Sequence, residues 1–375
     1  MSEKIRVLHF VTGGFSGGAT QVAIKLVRAS IEDKQTDSIL VLRRKRYTDP
    51  NRITELQRDG LAVKTVPGWS HLATIAALWR ICKDYRPDIL VAHGFSEHLW
   101  GRYAGLLAKV PSLVHVEHNS RERYTWWRLA QARWLAKRTA RIVGCSEGVR
   151  HSLLNLGFDQ HRTIAIDNGI ELTPFIDAEL SDVLKRDKSI LMVARFGKQK
   201  DHITLIRALD ELRKRGLTPK LELAGSGKSR HRKAAEKVVR DLHLESQVEF
   251  LGLVRNVPAK LMKTRVAVLS SRYEGMPLAL IEGMAAGCVV IGTRVPGIRE
   301  IIEDQVNGLL TEPDDPISLA DALEQALRND QLAETMAHTA REQAINRFSI
   351  DRMNNDYIDL FSKLKDEADR RSAAR

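Results

Sequence analysis

Two glutamates eight positions apart, Glu274 and Glu282, bracket the run Gly275-Met276-Pro277-Leu278. Were the gap all helix, eight steps at about 1.5 Å would separate the carboxylates by roughly 12 Å along the axis. That is too far for the roughly 5–5.5 Å carboxylate pair that cleaves a glycosidic bond through a covalent intermediate. The two acids therefore serve different parts of one long ligand, or they are ordinary surface glutamates. Between them, free N–H groups near Met276 and Leu278 face an anion with a helix dipole behind them. A ligand presenting a sugar hydroxyl, a phosphate and a ribose in a row would fit. Upstream, Arg195 and Lys200 stand five positions apart in Arg195-Phe196-Gly197-Lys198-Gln199-Lys200-Asp201. A planar guanidinium and an ammonium at that spacing could clamp a diphosphate, although surface residues read the same way in isolation.

The elements that carry these groups follow from hydrophobic patterning. Val266–Leu269 is a short apolar run ending in Ser270-Ser271, which predicts a buried strand giving way to a loop. Pro277 suits the first turn of a helix, where its missing N–H costs nothing. That helix carries Leu280, Ile281 and Met284 and stops at Gly287, a C′ glycine, before a strand at Cys288–Ile291. Ile190–Ala194 is a strand feeding the Arg195–Lys200 segment. Leu221–Ala224 is another, ending in Gly225-Ser226-Gly227, and Val248–Gly252 is followed by Leu253, Val254 and Arg255. The first half alternates in the same manner. Strands are predicted at Ile5–Val11, Ile39–Leu42, Leu61–Val66, Ile89–Ala92, Leu113–Val116, Ile142–Cys145 and Thr163–Ile166, with amphipathic segments such as Gln21–Ile31, Leu72–Tyr85 and His98–Ala108 between them. This alternation predicts an α/β protein with parallel sheets covered on both faces, and ligands beyond the carboxyl ends of the strands. A chain of 375 residues exceeds one core, so two domains are expected. Their limits are 1–172 and 189–349, joined by a linker at 173–188, with a helix at about 350–370 packing back on the first domain.

Three further features of the first half could do chemistry. The first strand runs into Thr12-Gly13-Gly14-Phe15-Ser16-Gly17-Gly18-Ala19, where glycines permit close approach of a phosphate or simply a tight turn. Val114-His115-Val116-Glu117-His118-Asn119 places two histidines at a strand's carboxyl end. A zinc reading of His115, Glu117 and His118 fits poorly, because neighbouring residues on a strand point to opposite faces. The segment from Arg121 to Arg141 holds seven basic residues, one acid (Glu122) and half of the six tryptophans, with Trp127, Ala130 and Trp134 at helical spacing. Two readings remain open for it: an aromatic stripe packed into the core, or an interfacial helix against anionic lipid. Arg43-Arg44-Lys45-Arg46 is a second basic cluster, either a solvated loop or part of the same face.

Tyr273-Glu274-Gly275-Met276-Pro277, Glu282 to Gly287 and Pro296-Gly297-Ile298-Arg299-Glu300 together resemble the C-terminal signature of the family 4 retaining glycosyltransferases. The resemblance implies a GT-B fold, two Rossmann-like domains facing across a cleft, and a nucleotide-sugar donor that is a substrate rather than a cofactor. It implies no metal. It further implies that Glu274 lies near the transferred sugar and Glu282 holds the ribose. Arg195 and Lys200 would neutralise the diphosphate, and His118 would sit by the donor sugar. Gly17, Gly18, Gly225, Gly275, Met276 and Leu278 would line the donor site, with the backbone at Val254 meeting the nucleobase. Lys200-Asp201 departs from the Lys-Gly common in the family.

A net charge of +12 calls for an anionic partner. No uncharged apolar run of 18 residues is present, and no signal peptide is read, so the expected location is cytoplasmic, at most peripheral on a membrane. Cys82, Cys145 and Cys288 fit neither a disulfide framework nor a zinc spacing. The activity expected is retaining transfer of a sugar, from a UDP-sugar in preference to a GDP-sugar, to a hydroxyl of a lipid-linked saccharide, lipopolysaccharide or exopolysaccharide precursor. Two rivals are a nucleotide-sugar epimerase on the same fold and a basic nucleic-acid-binding protein. Dispersed basic residues and the lack of an RNA- or DNA-binding signature argue against the latter.

Overall fold

The computed structural model describes residues 4–15, 17–46, 48–121, 124–176 and 182–374. Ser16 of the glycine loop, Glu122 of the basic segment and 177–181 of the expected linker lie outside them. The chain divides into two compact units, Met1–Asn168 with Asp351–Arg375, and Gly169–Ile350.

The first unit alternates strand and helix: β1 (Ile5–Thr12), α1 (Gly18–Glu32), β2 (Thr36–Arg43), α2 (Pro50–Arg58), β3 (Val63–Val66), α3 (His71–Tyr85), β4 (Ile89–His93), α4 (Phe95–Ala108), β5 (Ser112–Glu117), α5 (Trp126–Ala136), β6 (Arg141–Gly144), α6 (Glu147–Asn155) and β7 (Thr163–Ala165). Its seven strands are parallel in the order β3-β2-β1-β4-β5-β6-β7. Strand order therefore reverses between β1 and β4, the place where doubly wound sheets open a crevice at their carboxyl ends. Phe10, Val41, Leu90 and Ala92 fill one face of the sheet with Leu78 of α3, and Val11, Leu40 and Leu42 fill the other with Val27 of α1. Continuous burial on both faces is why these strands read as unbroken apolar runs.

The second unit runs α7 (Thr173–Ile176), a 3-10 turn (Val183–Lys185), β8 (Asp187–Val193), α8 (His202–Lys214), β9 (Leu221–Ala224), α9 (Ser229–Asp241), β10 (Val248–Gly252), α10 (Val257–Leu261), β11 (Thr264–Leu269), α11 (Leu278–Ala285), β12 (Val289–Thr293), β13 (Leu309–Thr311), α12 (Pro316–Arg328) and α13 (Asp330–Arg347). Six parallel strands lie in the order β10-β9-β8-β11-β12-β13, so the reversal falls between β8 and β11. The segment 173–188, expected as a linker, falls inside this unit and buries Phe175. The last helix, α14 (Ile350–Ala373), belongs to the first unit. It buries Met353, Tyr357, Leu360, Phe361 and Leu364 and joins Lys365 to Asp88 at 3.0 Å.

Candidate active site

The loop after β8 and the loop after β11 leave the second sheet on either side of its reversal, and they are bonded to each other. Arg272 N–H donates to the Gln199 carbonyl at 2.8 Å, the Gln199 amide donates to the Tyr273 carbonyl at 2.8 Å, and the Ser270 hydroxyl donates to the Asp201 carbonyl at 3.0 Å. These contacts bring Lys200 Nζ to 2.5 Å from Glu274 Oε1. The carboxylate is buried and the lysine half-buried, so two groups 74 residues apart in sequence form one ion pair. Arg195, two residues past β8, is exposed and has no side-chain partner among the described residues.

Asp201 explains the departure from Lys-Gly. It adopts the left-handed conformation, with φ of 46° and ψ of 53°, which glycine enters freely and Asp tolerates better than most residues. Its buried carboxylate accepts from Thr204 Oγ1 at 2.7 Å and lies 3.2 Å from Arg272. A polar network thus holds a turn that a glycine would take without help.

Pro277 caps α11 immediately before its first residue, one position earlier than the sequence suggests, and Gly287 follows its end with φ of 68°. No side chain caps the helix at Pro277, which leaves the first-turn N–H groups around Leu278 available to an anion. Glu282 stands half-buried further along α11, while Gly275 and Met276 are buried in the loop that precedes it. That loop abuts Pro296-Gly297: Gly297 has φ of 85°, and a Cβ there would lie 2.3 Å from the Gly275 carbonyl oxygen. Gly297→Ala should therefore push the Glu274–Met276 loop aside, costing about 2 kcal/mol or more in stability and at least tenfold in turnover. Denaturant melts paired with an activity assay check this, and a variant matching the parent in both would contradict the packing argument.

The remaining glycines divide. Gly225, with φ of 145°, lies against the Ala194 carbonyl, 2.1 Å from where its Cβ would be, so the meeting of two loops already requires it. Gly17 and Gly18 differ. Gly17 has φ of −94°, and a Cβ would meet only the Gly14 carbonyl at 3.6 Å; at Gly18 it would meet nothing within 4 Å. Neither backbone geometry nor protein contact demands glycine at this pair, which caps and opens α1 at the reversal point of the first sheet. Val254 is half-buried in the loop beyond β10.

His118 is not alone. His9 of β1, His93 of β4 and His115 of β5 gather near it, and His98 of α4 joins them. The rings of His98 and His115 stack at 4.0 Å, and Glu117 Oε2 lies 3.6 Å from His115 Nε2. His115 and Glu117, two apart on β5, share a face, as strand alternation dictates, and the third member of the buried trio of metal-ligand types is His98 of α4 rather than His118. Arg102 decides against a cation there. Its buried guanidinium can only donate, so its 2.5 Å contact with His98 Nδ1 leaves that nitrogen bare and the ring proton on Nε2, which faces Tyr124 Oη at 3.0 Å. The trio thus offers one imidazole already committed, beside a fixed positive charge. His9, His93 and His98 escaped the sequence reading because each is a single residue within an apolar strand or helix.

On the surface, Trp126 is 80% exposed, and Trp127 and Trp134 are also open, while Ala132, Leu135 and Ala136 form the buried side of α5. The core-packing reading of these tryptophans is therefore wrong. Arg138 sits 3.9 Å from the Trp134 ring and Arg128 5.5 Å from that of Phe95. Arg44, Lys45 and Arg46 line a cavity of about 600 Å³ with Trp69, itself 84% exposed. Arg43, Arg128 and Lys45 all act on His71, whose pKa is lowered by burial first and then by these cations. The two basic clusters therefore converge on one face of the first unit.

Two family models match the chain, one described as glycosyltransferase family 4 over residues 16–173 and one as glycosyl transferases group 1 over residues 178–343. The chain belongs to the family 4, group 1 glycosyltransferases. It is similar to an Escherichia coli UDP-Gal:alpha-D-GlcNAc-diphosphoundecaprenol alpha-1,3-galactosyltransferase, at 26% identity over 77% of this chain and 80% of that one. A Campylobacter jejuni N-acetylgalactosaminyltransferase acting on a diphospho-undecaprenol saccharide is 33% identical over 54% of this chain and 55% of its own length. Among solved structures, Anabaena HepE in complex with UDP and glucose superposes with a TM-score of 0.84 at 20% identity, over 96% of this chain and all of that one. That likeness shows the fold, GT-B, with two parallel-sheet Rossmann-like domains. The nucleic-acid-binding rival falls with the family assignment. Among the described residues no helix is long and apolar enough to cross a membrane.

Proposed function

We propose that this glycosyltransferase moves a sugar from a UDP-sugar to a hydroxyl of a lipid-diphosphate-linked saccharide, with retention at the anomeric carbon. The observation that carries this reading is the joining of Lys200 to Glu274 at the reversal of the second sheet, with exposed Arg195 and the uncapped start of α11 at the same carboxyl edge. Departure of the diphosphate is the hard step. Fixed cations and N–H groups aimed at the growing negative charge supply most of the assistance. A diphosphate oxygen accepts the proton of the acceptor hydroxyl as the new bond forms on the face it leaves, so no enzymatic nucleophile is required. Glu282 holds the ribose, and Gly17-Gly18 admit the phosphates closely. Arg195 and Lys200 stand where a metal would otherwise neutralise the diphosphate, and we assign the reaction no metal. The relatives' substrates support UDP and a diphosphoundecaprenol-type acceptor.

The test is a panel of nucleotide sugars. The right donor should raise the melting temperature by mass action, and with acceptor it should give an α-linked product from an α-linked donor, unchanged by EDTA. An inverted product, or a donor consumed to its epimer without acceptor, would overturn the reading.

The basic, tryptophan-bearing face suits an acceptor held at an anionic membrane. Replacing Trp126, Trp127 and Arg128 by alanine should weaken sedimentation with phosphatidylglycerol vesicles by about tenfold, near 1.4 kcal/mol, and leave the melting temperature unchanged. Undiminished sedimentation would remove this face from the membrane.

A further inference from the structure

Lys200 carries its charge on a flexible four-carbon stem, so its aim is only as good as the backbone beneath it is fixed. Both neighbours of Lys200 are tied to the loop after β11. The Gln199 amide donates to the Tyr273 carbonyl at 2.8 Å, and the Asp201 carboxylate lies 3.2 Å from the Arg272 guanidinium. The same guanidinium donates to the Lys198 carbonyl at 3.4 Å and, through Nε, to Asp314 Oδ1 at 2.5 Å. Asp314 stands in the turn between β13 and α12. One side chain, two residues before Glu274, therefore fastens the loops after β8, β11 and β13 to one another.

The backbone is strained at both carboxylates. Asp201 and Asp314 have φ of 46° and 61°. Arg86, Lys109 and His243 share that conformation, but each follows the end of a helix, where a left-handed residue is routine. Asp201 and Asp314 precede α8 and α12 instead, where helix formation makes no such demand. Strained residues persist only where their surroundings over-determine them, and they gather at functional sites. The group that both carboxylates meet is Arg272. Its planar fork serves three partners in different directions, which the point charge of a lysine cannot do.

We propose that Arg272 is a positioning residue for the transfer: by joining Lys198, Asp201 and Asp314 it holds the Lys200 backbone in place, so that the ammonium meets the diphosphate of the donor already ordered. The inference rests on the reading that Lys200 neutralises that diphosphate. Arg272 itself touches no substrate and moves no proton. Its effect passes through Lys200.

Calorimetric binding of UDP and of UMP, which lacks the outer phosphate, separates positioning from mere support of the fold; GDP and GMP take their place if the donor panel selects guanine. Arg272→Met alone leaves the buried Asp201 carboxylate without its cation. Arg272→Met with Asp201→Asn removes both charges, and the asparagine still accepts from Thr204 and tolerates the left-handed backbone. This double variant should bind UDP about tenfold more weakly and UMP within about twofold of the parent. An equal fall for UMP would reduce Arg272 to a support of the fold, and unchanged affinity for UDP would overturn the proposal. Added to Lys200→Ala, the same two substitutions should bring no further loss, because contacts that act through one group are not additive; additive losses would mean that Arg272 acts by another route. If Lys200→Ala binds UDP as the parent does, the reading of Lys200 fails and this inference with it. If only the Arg272 variant does, the inference fails alone.

Discussion

Lys200→Ala is expected to lower turnover by about two to three orders of magnitude, the usual loss when one preorganised charge facing a developing anion is removed. The same change strands the buried Glu274 carboxylate, whose side chain is 7% exposed. Breaking a buried pair from one side costs more than the pair is worth; with the lysine itself partly solvated, about 1–3 kcal/mol is expected. Stability and chemistry can be separated. Lys200→Ala with Glu274→Gln should regain most of the melting temperature, since no buried charge is left alone, and none of the activity. Arg195→Ala makes the complementary case: the exposed side chain has no partner among the described residues, so the melting temperature should hold while turnover falls about a hundredfold. UDP release and thermal melts read all four proteins. A double variant with restored turnover, or a Lys200→Ala enzyme within threefold of the parent, would refute the role of the lysine.

Acid should unfold the first unit well before the second. Four buried histidines and the half-buried His118 are held neutral there by desolvation: His9 at about 3, His118 at about 4, and His93, His98 and His115 well below 6.5, with neighbouring imidazoles and Arg102 adding to the effect on these last three. Among the described residues of the second unit, His202 alone is buried and shifted as far, to about 4. The folded-state values lie below the unfolded value of 6.5, so the unfolded chain takes up protons that the native chain refuses. Stability is therefore complete above pH 6.5 and falls as pH drops from there towards 4. Each histidine contributes up to about 1.4 kcal/mol per pH unit. Five together remove several kcal/mol by pH 5.5, a large part of a typical total of about 5–15 kcal/mol. All six tryptophans lie in the first unit, so intrinsic fluorescence reads that unit alone. Its transition should appear between pH 6 and 5; fluorescence steady to pH 4.5 would rule out neutral burial of the cluster.

What the sequence discloses, and what it withholds, follows from the range of the interactions involved. Strands such as β1, β4 and β11 are legible because both of their faces are buried and they read as unbroken hydrophobic runs. The segment from Tyr273 to Gly287 is legible because its chemistry is local: a loop, a helix start and a C′ glycine within fifteen positions. The Lys200–Glu274 bond is not local, and neither is the cluster of imidazoles, which depends on how β1 registers against a strand some 80 residues later. Asp201 reads as a defect until its left-handed backbone and its bond to Thr204 are seen. Trp126 and Trp127 stay open between core and surface in the sequence because a helix of mixed polarity does not announce which side it buries. Leu172 reads as the end of the first domain and Phe175 as part of a linker, whereas both fall within the compact unit Gly169–Ile350 and are buried there.

The membership of α14 in the first unit bears on how the protein is born. During synthesis residues 1–168 emerge with an apolar trough still vacant, and the helix that fills it follows only after the whole of Gly169–Ile350. At about 5–20 residues per second the ribosome leaves that trough bare for roughly ten to forty seconds. The second unit, contiguous in the chain, can finish maturing first, so the amino-terminal half is the later of the two to reach its final form.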